Sequence, residues 1–181
     1  MNNKPCPADE TSLKAFFLGP QAENAEWAKD MVNQIFSNWT SWRRSCFPED
    51  GQAISYQDTL LPEFVTRQKN TQILLQELTD RFRAEIPKFS PRYISHMVSE
   101  ISMPAMFGHI LTLLHNPNNV ARESSAVGLE IEKEAIEMLS EMVGFSHSPS
   151  YGHFTSGGTV SNYEAILRAK YRQEKWIAVG A

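Results

Sequence analysis

Cysteine is scarce in this sequence of 181 residues, which holds only Cys6 and Cys46. Two thiols so spaced supply neither a disulfide framework nor a zinc site, so both are expected to be free and no metal is expected. A surplus of positive charge is also missing: 17 Lys and Arg face 21 Asp and Glu, for a net charge of -4. With its basic residues scattered, the chain has no general attraction for nucleic acid or anionic lipid, and neither is an expected partner. Long apolar runs are lacking as well. The longest, Met103–Leu114, covers about 12 residues and contains His109, against about 20 for a membrane-spanning helix. The start, Met1–Glu10, is polar and holds Pro5 and Pro7. It has neither the basic nor the apolar stretch of a secretory signal, so a cytoplasmic location is expected. The acceptor triplet Asn38-Trp39-Thr40 is then a chance match inside a helical pattern.

What is present is the composition of an ordinary soluble domain, 41% hydrophobic and 21% charged. Ala28, Met31, Val32, Ile35, Phe36, Trp39 and Trp42 recur at helical spacing, which predicts an amphipathic helix over Ala22–Arg44. After a turn-rich connection, Cys46–Tyr56, a second helix is predicted over Glu63–Ile86, with Leu74, Leu75, Leu78 and Phe82 on one side and Pro87 limiting it. Both carry more apolar surface than one helix needs, so they are expected to pack on each other or on a partner chain. Pro91–Ser102 lacks periodicity and is expected to be an extended loop.

Pro104 suits the first turn of a third helix reaching His115. That helix is apolar nearly all round and is expected to be buried. His109 and His115 lie six residues apart, so they do not share a face as metal ligands would, and a hydrogen-bonded core or helix-end role is expected. A fourth helix is predicted over Val127–Val143, with Ile131, Ala135, Leu139 and Met142 facing inward and Gly144 as its terminal cap. Glu130, Glu132 and Glu134 are expected to form its solvated, dipole-favoured start. The last segment changes character. Tyr151–Thr155 is a short β-capable run, Ser156-Gly157-Gly158-Thr159 a tight loop, and Ser161–Lys175 is again helical. Strand, glycine loop and helix open an α/β unit, but one strand cannot make a parallel sheet. The sequence therefore reads as a piece of something larger.

A glycine loop leading into a helix exposes unpaired amides at the positive end of the helix dipole, where an anion binds. Two readings stand at this point. Gly157, Gly158 and Thr159 form either such an anion site or an ordinary turn. Ser161-Asn162-Tyr163-Glu164 also fits a capping box, which would start the helix too late for the Gly158 and Thr159 amides to be its terminus. The pattern is neither a dinucleotide fingerprint nor a P-loop.

Three motifs run in order: Pro91-Arg92-Tyr93-Ile94-Ser95-His96-Met97, then Asn118-Asn119-Val120-Ala121-Arg122-Glu123-Ser124-Ser125, then Tyr151-Gly152-His153-Phe154-Thr155-Ser156-Gly157-Gly158-Thr159-Val160-Ser161-Asn162. Together they resemble the amino-terminal part of the group II pyridoxal-phosphate-dependent amino acid decarboxylases, the family of glutamate, aromatic amino acid and tyrosine decarboxylases. Phe17-Leu18-Gly19-Pro20-Gln21-Ala22-Glu23-Asn24 and Trp42-Arg43-Arg44 look most like bacterial tyrosine decarboxylases. The resemblance spans about Phe16 to Arg172. It implies a mainly α chain with the start of an α/β unit, the amino-terminal fragment of a fold-type I pyridoxal-phosphate-dependent enzyme. Residues 1–87 would be a helical region, 88–150 a linker with helices leading into the cofactor domain, and 151–181 the first strand, glycine loop and helix of that domain.

The resemblance further implies that Gly157, Gly158 and Thr159 hold the phosphate of pyridoxal 5'-phosphate. It implies that the His96–Ser99 loop reaches an amino acid substrate, through His96 and Ser99, and that Asn119 and Val120 approach the active site of a second subunit in a homodimer. Val98, Arg122 and Ala126 depart from the family pattern, where a polar residue, an aromatic and a proline are usual; these departures bear on the substrate rather than the fold. Cofactor chemistry of this kind also needs a Schiff-base lysine and an acidic partner for the pyridinium nitrogen. In the family both lie downstream of the glycine loop, and Lys170 and Lys175 read as solvated helix lysines. The chain is accordingly expected to be inactive alone and to hold no covalent cofactor. The alternatives are a non-catalytic dimerisation or interaction module, and one half of a split decarboxylase.

Overall fold

A computed structural model describes residues 13–97, 100–145 and 151–173. The helices are α1 (Ala25–Cys46), α2 (Tyr56–Thr59), α3 (Pro62–Phe82), α4 (Met103–His115), α5 (Ala126–Met142) and α6 (Gly158–Gln173). No strand occurs among the described residues. The helices fall close to where their apolar spacing places them, except for α2, a single turn that periodicity cannot announce. Its origin is local. Ser55 Oγ accepts from the Asp58 amide at 3.2 Å, and the Asp58 carboxylate accepts from the Ser55 amide at 2.7 Å, a complete capping box. Pro62 then opens α3, where a missing N–H costs nothing.

The Ser55 hydroxyl, also 2.7 Å from the carboxylate, and the Ser55 amide hold Asp58 below the usual aspartate range. A lowered folded-state value means that the cap's contribution is present in full above the unfolded value and is lost as pH falls through the lowered one. Ser55→Ala removes the larger of these causes, so the Asp58 carboxyl is expected to titrate at higher pH in that variant. Carbon-detected NMR of the side chain measures it, and an unchanged midpoint would contradict the assignment.

The contacts divide the chain into two units, Met1–His115 and Asn116–Ala181. In the first, α1 packs against α4 and α2 against α3. Trp27 meets Phe107 edge to face at 5.5 Å, and Trp42 lies against the His115 ring at 4.7 Å. The Met103 amide donates to the Phe16 carbonyl at 2.7 Å, and the Asn24 side chain accepts from Gly19 N and donates to Phe17 O, which fixes the approach to α1. Beside this junction lies an open apolar pocket of about 600 Å³, lined by Ala15, Phe16, Asn24, Trp27, Pro104 and Phe107. It has no ionisable lining.

Burial departs from the sequence expectation. Among the described residues only Ala28, 9% exposed, and Met103, 3% exposed, form a buried apolar core. Of the two covers expected for α1 and α3, each other or a partner chain, the first does not occur within the chain. The expected burial of α4 is limited to Met103; Leu113 is 71% exposed and His109 is exposed. The reason is geometric: one neighbouring helix covers one stripe, and a helix apolar all round needs cover on several sides.

The second unit is organised around α5. Ser125 Oγ caps it by accepting from Gly128 N at 3.2 Å, and Gly144, at φ +87°, ends it in the left-handed conformation expected of a terminal glycine. The inward stripe is not the expected one. Ile131 and Leu139 are exposed, and Met142 is 82% exposed. The face that makes contacts lies one residue along, at Gly128, Glu132 and Ile136: a side chain at Gly128 would collide with Asn119, and a Cβ on Gly152 would stand 2.9 Å from Ile136 Cγ2. The expected strand at Tyr151–Thr155 is irregular chain, because no second strand among the described residues takes up its hydrogen bonds.

Candidate functional site

The glycine turn resolves the two readings of its helix start. α6 begins at Gly158, and the Ser161 amide, donating to Gly157 O at 3.1 Å, is the first of its amides to find a carbonyl. The Ser161 capping box does not form. Instead Ser161 Oγ, Thr155 Oγ1 and the Gly157 carbonyl make a triangle with sides of 2.6, 3.1 and 3.3 Å, in which two hydroxyl protons serve three contacts. Glu164, the residue that would have closed the box, pairs with His153 Nε2 at 3.0 Å.

Gly157 has φ +154°, which a side chain rarely adopts, and a Cβ at Gly157 or Gly158 would meet nothing within 4 Å. Among the described residues the amides of Gly158, Thr159 and Val160 have no hydrogen-bond partner, nor does the Thr159 hydroxyl. Three free N–H groups at the positive end of a helix of 16 residues, approached over two glycines, can receive an oxyanion. No group of three or more His, Cys, Asp or Glu among the described residues could hold a metal ion.

The other sequence candidates divide between the units. His96 belongs to the first; it is exposed, and its carbonyl accepts from the Tyr93 hydroxyl at 3.4 Å. Ser99 and Val98 lie outside the described residues, as do Cys6, His147 and Lys175. Asn119 and Val120 belong to the second. Asn116, at φ +46°, turns the chain into their loop, and Asn118 Oδ1 accepts from Val120 N at 3.1 Å, which leaves the Val120 side chain exposed. Asn119 points the other way. Its Nδ2 donates to Glu132 Oε2 at 3.2 Å, while Glu132 Oε1 accepts from the Phe154 amide at 2.9 Å.

Asn119 and the segment entering the glycine turn are thus joined through Glu132, and the expectation that Glu132 is merely solvated is corrected. Glu130 faces Arg122 at 3.9 Å instead. Sequence reasoning missed Glu132 because three alternating glutamates look alike; its spacing of four from both Gly128 and Ile136 was the available signal.

The second unit is thus helical, with a glycine turn whose free amides suit an oxyanion. Residues 55–178 match the family described as the pyridoxal-dependent decarboxylase conserved domain. The chain belongs to that family. It is 32% identical over 163 residues to an L-tyrosine decarboxylase of Levilactobacillus brevis, and this alignment covers 89% of the chain and 26% of the relative. An L-tyrosine decarboxylase of Enterococcus faecium matches with the same identity and coverage. One from Enterococcus faecalis (strain ATCC 700802 / V583) is 28% identical over 172 residues, covering 94% of the chain and 27% of the relative. The chain spans about a quarter of the length of these curated relatives.

Proposed function

We infer that this chain contributes the helical amino-terminal region and the cofactor-phosphate turn of a fold-type I decarboxylase acting on tyrosine or a related amino acid in the cytoplasm. The observation that carries the reading is the glycine turn: unpartnered amides at Gly158, Thr159 and Val160 and a free Thr159 hydroxyl, inside the stretch that matches the family. These groups fit a phosphate ester, because the amides can only donate, the Thr159 hydroxyl can add a further donor, and Gly157 and Gly158 leave their approach open. Bound pyridoxal 5'-phosphate supplies an electron sink for the pair left behind by a departing carboxylate.

The chain's own residues bind and orient. Gly157, Gly158 and Thr159 anchor the phosphate and so fix where the ring lies. His96 and Ser99 meet the amino acid through hydrogen bonds, and Asn119 and Val120 serve the site of a second subunit. Lys170, in the last turns of α6, is left as a surface cation, and the lysine that holds the aldehyde is expected further along the whole protein. By itself the 181-residue chain is inactive.

The test is to read the coding frame beyond Ala181 and to express the chain with whatever follows. Release of carbon dioxide from tyrosine that depends on pyridoxal 5'-phosphate is the expected result. Turnover confined to amino acids unrelated to tyrosine would overturn the substrate assignment. A borohydride-fixed cofactor on Lys170 in the 181-residue chain alone would overturn the division of labour.

A further inference from the structure

Among the described residues, Glu132 is the one side chain hydrogen-bonded to both the Asn119 loop and the segment leading into the glycine turn, and nothing in the proposed chemistry assigns it a task. Its two carboxylate oxygens are used separately. Oε1 accepts from the Phe154 amide at 2.9 Å and Oε2 from Asn119 Nδ2 at 3.2 Å. Phe154 immediately precedes Thr155, whose hydroxyl contacts both Gly157 O and Ser161 Oγ. Hydrogen bonds therefore run from Asn119 through Glu132 to Phe154, and the peptide bond to Thr155 carries the connection on to the turn. The backbone of 151–155 has no strand neighbour among the described residues, so this carboxylate does what a sheet partner would otherwise do for the Phe154 amide. The neighbouring contacts define the same register: Asn119 lies over Gly128, and Gly152 lies against Ile136, both on the face of α5 that carries Glu132.

We propose that Glu132 is a positioning residue, which locks the Asn119 loop and the glycine turn to one face of α5 so that the free amides of Gly158 and Thr159 hold a phosphate group. The inference rests on the phosphate reading of the turn given above. It names a cause for the turn's geometry that is separate from the turn itself.

The experiment uses the whole 181-residue chain, with inorganic phosphate as the probe. The amide shifts of Gly158 and Thr159 report binding, and hydrogen exchange at the Phe154 amide reports the strut. Glu132→Ala is expected to weaken phosphate about tenfold and to speed Phe154 exchange by a similar factor, since bonds to a charged acceptor are lost. Glu132→Gln is expected to stay close to the parent: its carbonyl keeps the Phe154 amide, and its NH2 donates to Asn119 once that side chain flips. Asn119→Asp sets two carboxylates face to face and is expected to weaken phosphate. Adding Glu132→Gln to Asn119→Asp restores a donor between them and is expected to recover binding, a coupling that general loss of structure would not produce.

Unchanged phosphate affinity in Glu132→Ala, with phosphate still bound at Gly158, would overturn the proposal alone. Failure of the double variant to recover would do the same, and it decides the matter if Glu132→Ala unfolds the second unit. Absence of any phosphate shift in the unsubstituted chain would overturn the phosphate reading and the proposal with it, while Phe154 exchange would still show whether the strut exists.

Discussion

At tens of micromolar, the 181-residue chain is expected to sediment as a dimer or larger, and Phe36→Asp is expected to weaken that association by about 100-fold, roughly 3 kcal/mol. The expectation follows from burial. Only Ala28 and Met103 are buried among the described apolar residues, whereas Phe36, at 54%, and Leu74, at 64%, stand open on α1 and α3. Apolar surface of this extent is rarely left to water, and a second copy is the cover that the proposed homodimer provides. Phe36 suits the test because it is half-exposed and its ring packs on Trp39 of the same helix, whereas the aromatic pairs that join α1 to α4 are Trp27 with Phe107 and Trp42 with His115. A carboxylate there leaves the helix intact but must be desolvated in any interface. The helical circular dichroism signal of Phe36→Asp should therefore match that of the parent. A monodisperse monomer of the parent chain would contradict the account, as would a Phe36→Asp variant that still associates.

Gly158→Val is expected to keep the fold of the second unit and to lose phosphate binding by at least about 100-fold. The two halves of that statement have different causes. A Cβ at Gly158 meets nothing within 4 Å and the residue has no positive φ, so the helix accepts the substitution. The branched side chain then stands over the amides of Gly158 and Thr159, where a phosphate must approach to hydrogen-bond distance. Gly157→Val serves as the contrast, because φ +154° is strained for valine and that variant is expected to be less stable as well as unable to bind. If Gly158→Val binds phosphate as well as the parent, the anion does not lie at the turn.

Much of the helical framework was legible in the sequence. Apolar residues at helical spacing mark α1 and α3, Pro104 marks the start of α4, and Gly144 marks the end of α5, because those signals are local and the physics behind them is local too. α2 escaped because a one-turn helix has no periodicity, although its signature, Ser55 followed three residues on by Asp58, was there to read. The burial of α4 and the inward face of α5 were misjudged for a different reason. An apolar stripe says that a surface needs cover, but the stripe on α5 that meets the rest of the second unit is chosen by Gly128, where Asn119 can approach, and not by the most hydrophobic residues. The strand at Tyr151–Thr155 failed because β-capable residues need a neighbour to pair with. At the site, the glycine turn before the last helix was legible, while the choice between Gly158 and Ser161 as the helix start was not. In the structure Glu164 pairs with His153 instead of closing the box, a contact no spacing rule announces.

The central claim, that the Gly157–Thr159 turn receives the cofactor's phosphate, is tested most directly by comparing pyridoxine 5'-phosphate with pyridoxine on the 181-residue chain. Both lack the aldehyde that would react indiscriminately with surface lysines, so they differ only in the phosphate. The account predicts that the phosphorylated compound shifts the amides of Gly158, Thr159 and Val160, that pyridoxine does not, and that Gly158→Val abolishes the difference. Equal binding of the two compounds, or shifts confined to residues away from the turn, would contradict it.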